Sequence, residues 1–259
     1  MIAWRRAPAP PGYSREWRQN DTELVVRHGL RERVREALQE GSLFGFAAHA
    51  PDAQALRGRG TAYAVRLPDG GPAVVVRRSR HGGMLAGLTG DRFVAPTRAP
   101  RELQTALRLV RLGVPTPEIV AYATYPAGGP LRRADVATLE ISNGRDLGAL
   151  LADTAPGAAR TESWAAVARL LARMTQAGVR HPDLNAANIL LAPDENGALD
   201  GWLLDVDRVW FDTPGNPRVL EANLRRLTRS ARKWRDTRGA QVEDRELHTL
   251  AHDARSAAA

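Results

Sequence analysis

The sequence predicts an α+β fold in two parts, a small mainly β N-terminal part and a reduced helical C-terminal one, on three observations. Residues 62–67 and 73–77 have strand-like composition and flank a Pro68-Asp69-Gly70-Gly71 turn, which reads as a hairpin. Further strands follow, with one helix among them, as far as Ile141. Beyond residue 142 helices dominate, and strands first with helices later is an α+β plan with its junction there. The 259 residues are expected to divide into an N-terminal extension with a helix (1–50), the mainly β part (51–141) and the helical part (142–259).

Each element has its own signal. Pro8, Pro10 and Pro11 break structure early, so residues 1–50 read as a loop followed by a helix, with charges and sparse apolar positions over 30–43. A helix is predicted over 101–112: Pro100 starts it, Leu103, Leu107 and Val110 share a face, and Gly113 and Pro115 stop it. Strands are predicted at 119–122 and 136–141. Asp146 can cap a helix over 147–151. A longer helix over 162–177 carries the apolar stripe Trp164, Val167, Leu171 and Met174 and ends at Gly178.

Composition narrows the function classes. An apolar fraction of 43% and a charged fraction of 25% exclude a disordered or collagen-like chain. Cysteine is absent, which excludes disulfides, thiol catalysis and cysteine-ligated zinc. The formal charge is +8, and of the 37 Lys and Arg residues only Lys233 is a lysine. That balance favours an anionic partner. There is no run of 18 apolar residues, and the N-terminal segment lacks the apolar core of a signal peptide, so a cytoplasmic location is expected.

The sharpest signal is His181-Pro182-Asp183-Leu184-Asn185-Ala186-Ala187-Asn188-Ile189-Leu190-Leu191, followed by a turn over 193–197 and an apolar strand ending in Asp205-Val206-Asp207-Arg208. Asp183 and Asn188 lie five apart on one loop, and Asp205 follows the next strand. An acid to take a hydroxyl proton, with an Asn and an Asp as hard oxygen donors to Mg²⁺ on a nucleotide, is the constellation of kinase-type phosphoryl transfer. A plain helix-to-hairpin connection accounts for any one of these residues, but not for the spacing and the second Asp together. His181 reads either as a structural residue of the loop or as a ligand or base. Asp207 reads either as an aid to a second metal or as a turn cap.

This loop resembles that of the protein-kinase-like superfamily, and in particular that of the bacterial lipopolysaccharide kinases that phosphorylate Kdo or heptose in the inner core. Several stretches are similar to the Kdo-kinase branch: Gly58-Arg59-Gly60-Thr61, Arg77-Arg78-Ser79-Arg80-His81-Gly82-Gly83, Leu112-Gly113-Val114-Pro115-Thr116-Pro117 and Asn223-Leu224-Arg225-Arg226-Leu227. The resemblance spans roughly 56–235. It implies a protein-kinase-like two-lobe fold, ATP and Mg²⁺ as cofactors, Asp183 as catalytic base, Asn188 and Asp205 as metal ligands, and Gly58 and Gly60 in a loop covering the phosphates. A lone Gly-x-Gly is also an ordinary turn.

The chain departs from the superfamily twice. No lysine is available for the strand position that holds the α- and β-phosphates. Arg77, 19 residues after Gly58, is the positional match, and its guanidinium can hold phosphate and a carboxylate together. Glu102 is the expected ion-pair partner, although in a first turn it also complements the helix dipole. The second departure is Pro182, where regulated protein kinases carry arginine. Only 209–217 separates Arg208 from the next helix, too little for docking a protein substrate, so a small or lipid-linked acceptor is expected.

Residues 218–238 carry eight basic residues against Glu221 and Asp236, around a stripe of Leu220, Leu224, Leu227, Ala231 and Trp234. This helix reads as docked with a solvated basic face, as a surface for anionic lipid or the acceptor, or as both. Arg77, Arg78, Arg80 and Arg92 are expected to add positive charge on the nucleotide side. The leading expectation is an ATP-dependent Kdo kinase at the cytoplasmic face of the inner membrane, acting on a lipid-linked acidic sugar, with an anionic membrane surface as a further partner. The alternatives are a kinase of heptose or an aminoglycoside-like molecule, and a pseudokinase or anion-binding module. The intact Asp183, Asn188 and Asp205 set argues against a pseudokinase. Nucleic acid is not expected, because no basic sheet is interleaved with aromatics.

Overall fold

The computed structural model describes residues 8–56, 62–80, 90–153 and 157–259. These fall into two compact units, one of residues 1–104 and 118–140 and the other of residues 105–117 and 141–259. The fold class is α+β, with an antiparallel sheet in the first unit and a helical second unit.

The sheet of the first unit contains β1 (Tyr13–Arg18), β2 (Thr22–Arg27), β3 (Gln54–Leu56), β4 (Ala62–Arg66), β5 (Ala73–Arg78), β7 (Ile119–Pro126) and β8 (Leu131–Leu139) in the order β1-β2-β7-β8-β5-β4-β3, with the short β6 (Phe93–Val94) paired to β8. The predicted hairpin is β4–β5, closed by Gly71 N–H and Leu67 N–H donating to Leu67 O and Pro72 O. Two short helices, α1 (Arg31–Ala37) and α2 (Leu43–His49), share one core with Leu24, Val26, Val65, Val74, Val76, Val120 and Ala137.

Residues 13–27 correct the reading of this stretch as loop. Leu24, Val25 and Val26 are fully buried, and Glu23 beside them is buried in an ion pair with Arg15 at 3.3 Å. A three-residue apolar run flanked by charges is too short to register as a strand by periodicity. Its neighbours in the sheet make it one. Arg78 departs from expectation too. Its Nε donates to the fully buried Asp135 carboxylate at 2.9 Å, and its guanidinium lies 4.6 Å over the Phe44 ring. Burial pushes the Asp135 carboxyl upward while Arg78 pulls it down. Arg78 is therefore a cation committed to this unit's own packing.

Period-two alternation along β5 sends Val74 and Val76 into the shared core and Arg77 to the other face, where it pairs with Glu102. Glu102 sits in the first turn of α3 (Ala99–Arg111), a helix that begins in the first unit and passes into the second at Thr105. The buried face of α3 is Glu102, Leu103, Ala106 and Leu109, whereas Val110, predicted inward, is 56% exposed. Burying the Glu102 carboxylate at its ion pair rotates the inward face away from the purely apolar one.

In the second unit, α5 (Ala158–Gln176) is the central element, with Trp164, Val167, Leu171 and Met174 all buried as the stripe predicts. Around it pack α7 (Asp244–Ala258), α6 (Pro217–Arg238) and β12 (Leu199–Leu203). The short strand β9 (Arg145–Asp146) leads into α4 (Leu147–Asp153), which is capped by Asp146, whose Oδ1 accepts from Ala149 N–H at 2.8 Å. α6 starts on Asn216, which accepts from Arg218 N–H, and stops at Gly239 in the left-handed region. Its Leu220, Leu224, Leu227 and Ala231 are buried, and the Trp234 indole lies so close to Gly148 that a Cβ there would come within 2.3 Å of it.

Candidate active site

Two strand pairs bring the candidate residues of the second unit together. β10 (Val179–Arg180) pairs with β13 (Trp210–Phe211), and β11 (Ile189–Pro193) pairs with β12. The loop 181–188 joins β10 to β11, and the segment 204–209 joins β12 to β13. Because both ends of each are paired to the other, the two segments lie side by side, and Leu204 N–H donates to Asn188 O at 2.9 Å. Gly178 makes the turn from α5 into β10. Its φ is +67°, and a Cβ there would sit 2.3 Å from Asp212 O, so only glycine passes.

Backbone and side-chain hydrogen bonds then shape the loop. Asn223, fully buried on α6, accepts from His181 N–H at 3.1 Å and donates to Val179 O at 2.9 Å. Ser230 Oγ accepts from Ala186 N–H at 3.1 Å. Asn185 Oδ1 accepts from Ala187 N–H at 3.0 Å, while its Nδ2 donates to Asp183 O at 2.9 Å. His181 is 1% exposed, and its Nδ1 accepts from Asp183 N–H at 3.2 Å while Nε2 lies 3.3 Å from Leu204 O. Burial holds its pKa below the usual imidazole value. A neutral ring with its proton on Nε2 satisfies both contacts. His181 is thereby a bracket between the two segments, and the structural reading of it holds.

Asp183 is therefore fixed through its backbone, and its carboxylate is half-exposed. Arg226 of α6 donates from Nη2 to Asp183 Oδ1 at 2.9 Å. Asn188 Nδ2 donates to Asp183 O at 3.1 Å, which commits the amide's N–H end and leaves Oδ1 to act as a donor atom. Asp205 is exposed in the left-handed region, φ 55° and ψ 55°, immediately before a short 3-10 turn (Val206–Arg208). Asp207 is buried in that turn. In the first unit, Arg77 and Glu102 form the expected ion pair, with Glu102 buried. Gly58 and Gly60 lie outside the described residues.

Sequence reasoning missed Asn185, Asn223, Ser230 and Arg226 as residues that build the loop. Asn223 did leave a signal. It is a polar side chain three residues after Leu220 on the inward face of an amphipathic helix, and an amide there needs partners. Arg226 left none, because among eight basic residues on one helix nothing in the spacing singles it out.

Asp183, Asn188 and Asp205 thus lie on two adjoining segments locked by flanking strands, the order of residues expected of a phosphotransferase of the kinase type acting on a hydroxyl. The chain belongs to the lipopolysaccharide kinase (Kdo/WaaP) family, whose model matches residues 52–250. It is 36% identical over 226 residues to a 3-deoxy-D-manno-octulosonic acid kinase of Xanthomonas oryzae pv. oryzae (strain PXO99A), covering 85% of each chain. It is 39% identical over 222 residues to the enzyme of the same name from Stenotrophomonas maltophilia (strain K279a), covering 83% of this chain and 82% of that one. A solved structure of WaaP in complex with acyl carrier protein superimposes with a TM-score of 0.48 at 18% identity, covering 90% of this chain and 98% of that one.

Proposed function

We propose that this chain transfers the γ-phosphoryl group of ATP to a hydroxyl of Kdo in the lipopolysaccharide inner core, with Mg²⁺ on the nucleotide. The observation that carries this reading is the bracing of Asp183 by the Asn188 amide, which donates to the Asp183 carbonyl, with Asp205 on the adjoining segment. It is supported by the family and by relatives named for that acceptor. Those relatives favour Kdo over heptose or an aminoglycoside-like acceptor.

Asp183 orients the acceptor hydroxyl and accepts its proton as the bond to phosphorus forms. Its backbone bonds to His181, Asn185 and Asn188 keep the carboxylate in one position, so its role is mostly orientation. Asn188 Oδ1 and the Asp205 carboxylate are hard oxygen donors, and few of them, which suits a Mg²⁺ that keeps phosphate and water ligands. When bound, the ion neutralises charge on the phosphates. Arg77, held by Glu102, takes the phosphate-binding role of the missing lysine, as a planar fork in place of a point charge. The direct test is incubation with Mg²⁺, labelled ATP and a panel of Kdo–lipid A precursor, heptosylated core and aminoglycosides. Label is expected on the Kdo-bearing acceptor, and label on none of them overturns the reading.

A lipid-linked acceptor places the protein at the cytoplasmic face of the inner membrane. No helix of the described residues is long and apolar enough to cross a membrane. On α6, Arg226 is engaged by Asp183 and Arg232 by Asp244 at 3.1 Å, while Arg225 and Arg229 are exposed. The double substitution Arg225→Gln with Arg229→Gln is expected to weaken binding to anionic liposomes by about 2 kcal/mol at low salt, at about 1 kcal/mol per basic residue. Unchanged partitioning in a sedimentation assay removes this helix from the membrane.

A further inference from the structure

The Arg226–Asp183 pair asks for an explanation that stability does not provide. Its side chains are 38% and 27% exposed, and ion pairs this open contribute little to stability. Arg226 Nε is covered and has no hydrogen-bond partner, which costs stability. Pro182, next to Asp183 in the chain, brings no charge, so the guanidinium is delivered from α6, 43 residues away in sequence. A guanidinium has five N–H donors in a rigid fork. One is committed to Asp183 Oδ1, and the exposure of the side chain leaves others within reach of a ligand.

The chemistry of an acidic acceptor accounts for this placement. A sugar acid whose hydroxyl must meet Asp183 brings its own carboxylate close to that of Asp183, and two carboxylates in a half-buried site repel. A cation already fixed at Asp183 offsets the repulsion and supplies the planar donors that carboxylates bind best. We infer that Arg226 determines specificity for an acidic sugar: it holds Asp183 through Nη2 and reads the acceptor's carboxylate with the other N–H groups at its guanidinium end. This inference rests on the acceptor reading given above and names the residue through which the site recognises that class.

The experiment compares kcat/KM for a Kdo–lipid A precursor and for the same acceptor with its Kdo carboxyl converted to the methyl ester. The wild-type protein is expected to prefer the acid by about tenfold to a hundredfold, the range for a charge-assisted hydrogen bond. Arg226→Gln is expected to shrink that preference by about tenfold or more. Arg226→Lys, which keeps the charge and loses the fork, is expected to retain part of it, and it serves as the variant if the glutamine form does not fold. A merely positioning role lowers kcat on both acceptors by the same factor and leaves the preference unchanged, which overturns the inference. So does a wild-type protein with no preference for the acid. Labelling of neither acceptor by the wild type is a different result, because it overturns the acceptor reading itself.

Discussion

Asp183→Asn is expected to leave nucleotide affinity unchanged and to lower turnover by about 10²–10⁴-fold, the usual range for loss of a general base. The substitution isolates the charge because the position is held by its backbone. The N–H of residue 183 donates to His181 Nδ1, and its carbonyl accepts from Asn185 and Asn188; an amide side chain alters none of these. The new amide oxygen can still accept from Arg226 in place of Oδ1. What is removed is the negative charge proposed to take the hydroxyl proton. Single-turnover transfer from labelled ATP, with nucleotide binding followed by calorimetry, separates the two effects. Near-normal turnover in the variant takes Asp183 out of the role of base.

The elements most legible in the sequence are those whose pattern is local. The β4–β5 hairpin announces itself through its Pro-Asp-Gly-Gly turn, and the stripe of α5 through its spacing, because both carry their packing in consecutive residues. β1 and β2 are illegible for the opposite reason. β2 takes its strand character from pairing with β7, about 100 positions on, and β1 takes its own from β2, while the Arg15–Glu23 pair inside the sheet reads in sequence as solvated charge. The face of α3 fails in the same way: a buried glutamate satisfied by Arg77 outweighs an exposed valine. In the candidate site, Asp183, Asn188 and Asp205 stand out because the chemistry constrains both residue type and spacing. The residues that brace them do not, since Asn223, Ser230 and Arg226 reach the loop across more than 40 positions through contacts that only the folded α6 creates. The basic helix thus has two functions that composition cannot separate. It presents exposed arginines outward, and it carries the scaffold of the loop on its inner face.

Removal of the Asp205 charge is the second substitution with a large expected effect, and the backbone decides which variant tests it. Residue 205 has φ 55° and ψ 55°, a left-handed conformation that Asn and Asp enter far more readily than alanine. Asp205→Ala therefore adds backbone strain to the loss of a ligand, whereas Asp205→Asn keeps the conformational tolerance and removes only the charge. Loss of an outer-shell partner costs about 10–100-fold in metal affinity, so if Asp205 is the direct donor proposed above, neutralising it is expected to weaken Mg²⁺-dependent nucleotide binding by at least about 100-fold. The side chain is exposed, and the fold should notice little: a change within about 0.5 kcal/mol is the rule for such positions. Calorimetric titration of nucleotide with and without Mg²⁺ reads the coupling between the two ligands. In the wild type the cation should strengthen nucleotide binding. In Asp205→Asn that strengthening should be mostly gone, while metal-free binding and the thermal midpoint stay where they were. Equal strengthening in both proteins means that the cation is held elsewhere, and Asp205 is then no ligand.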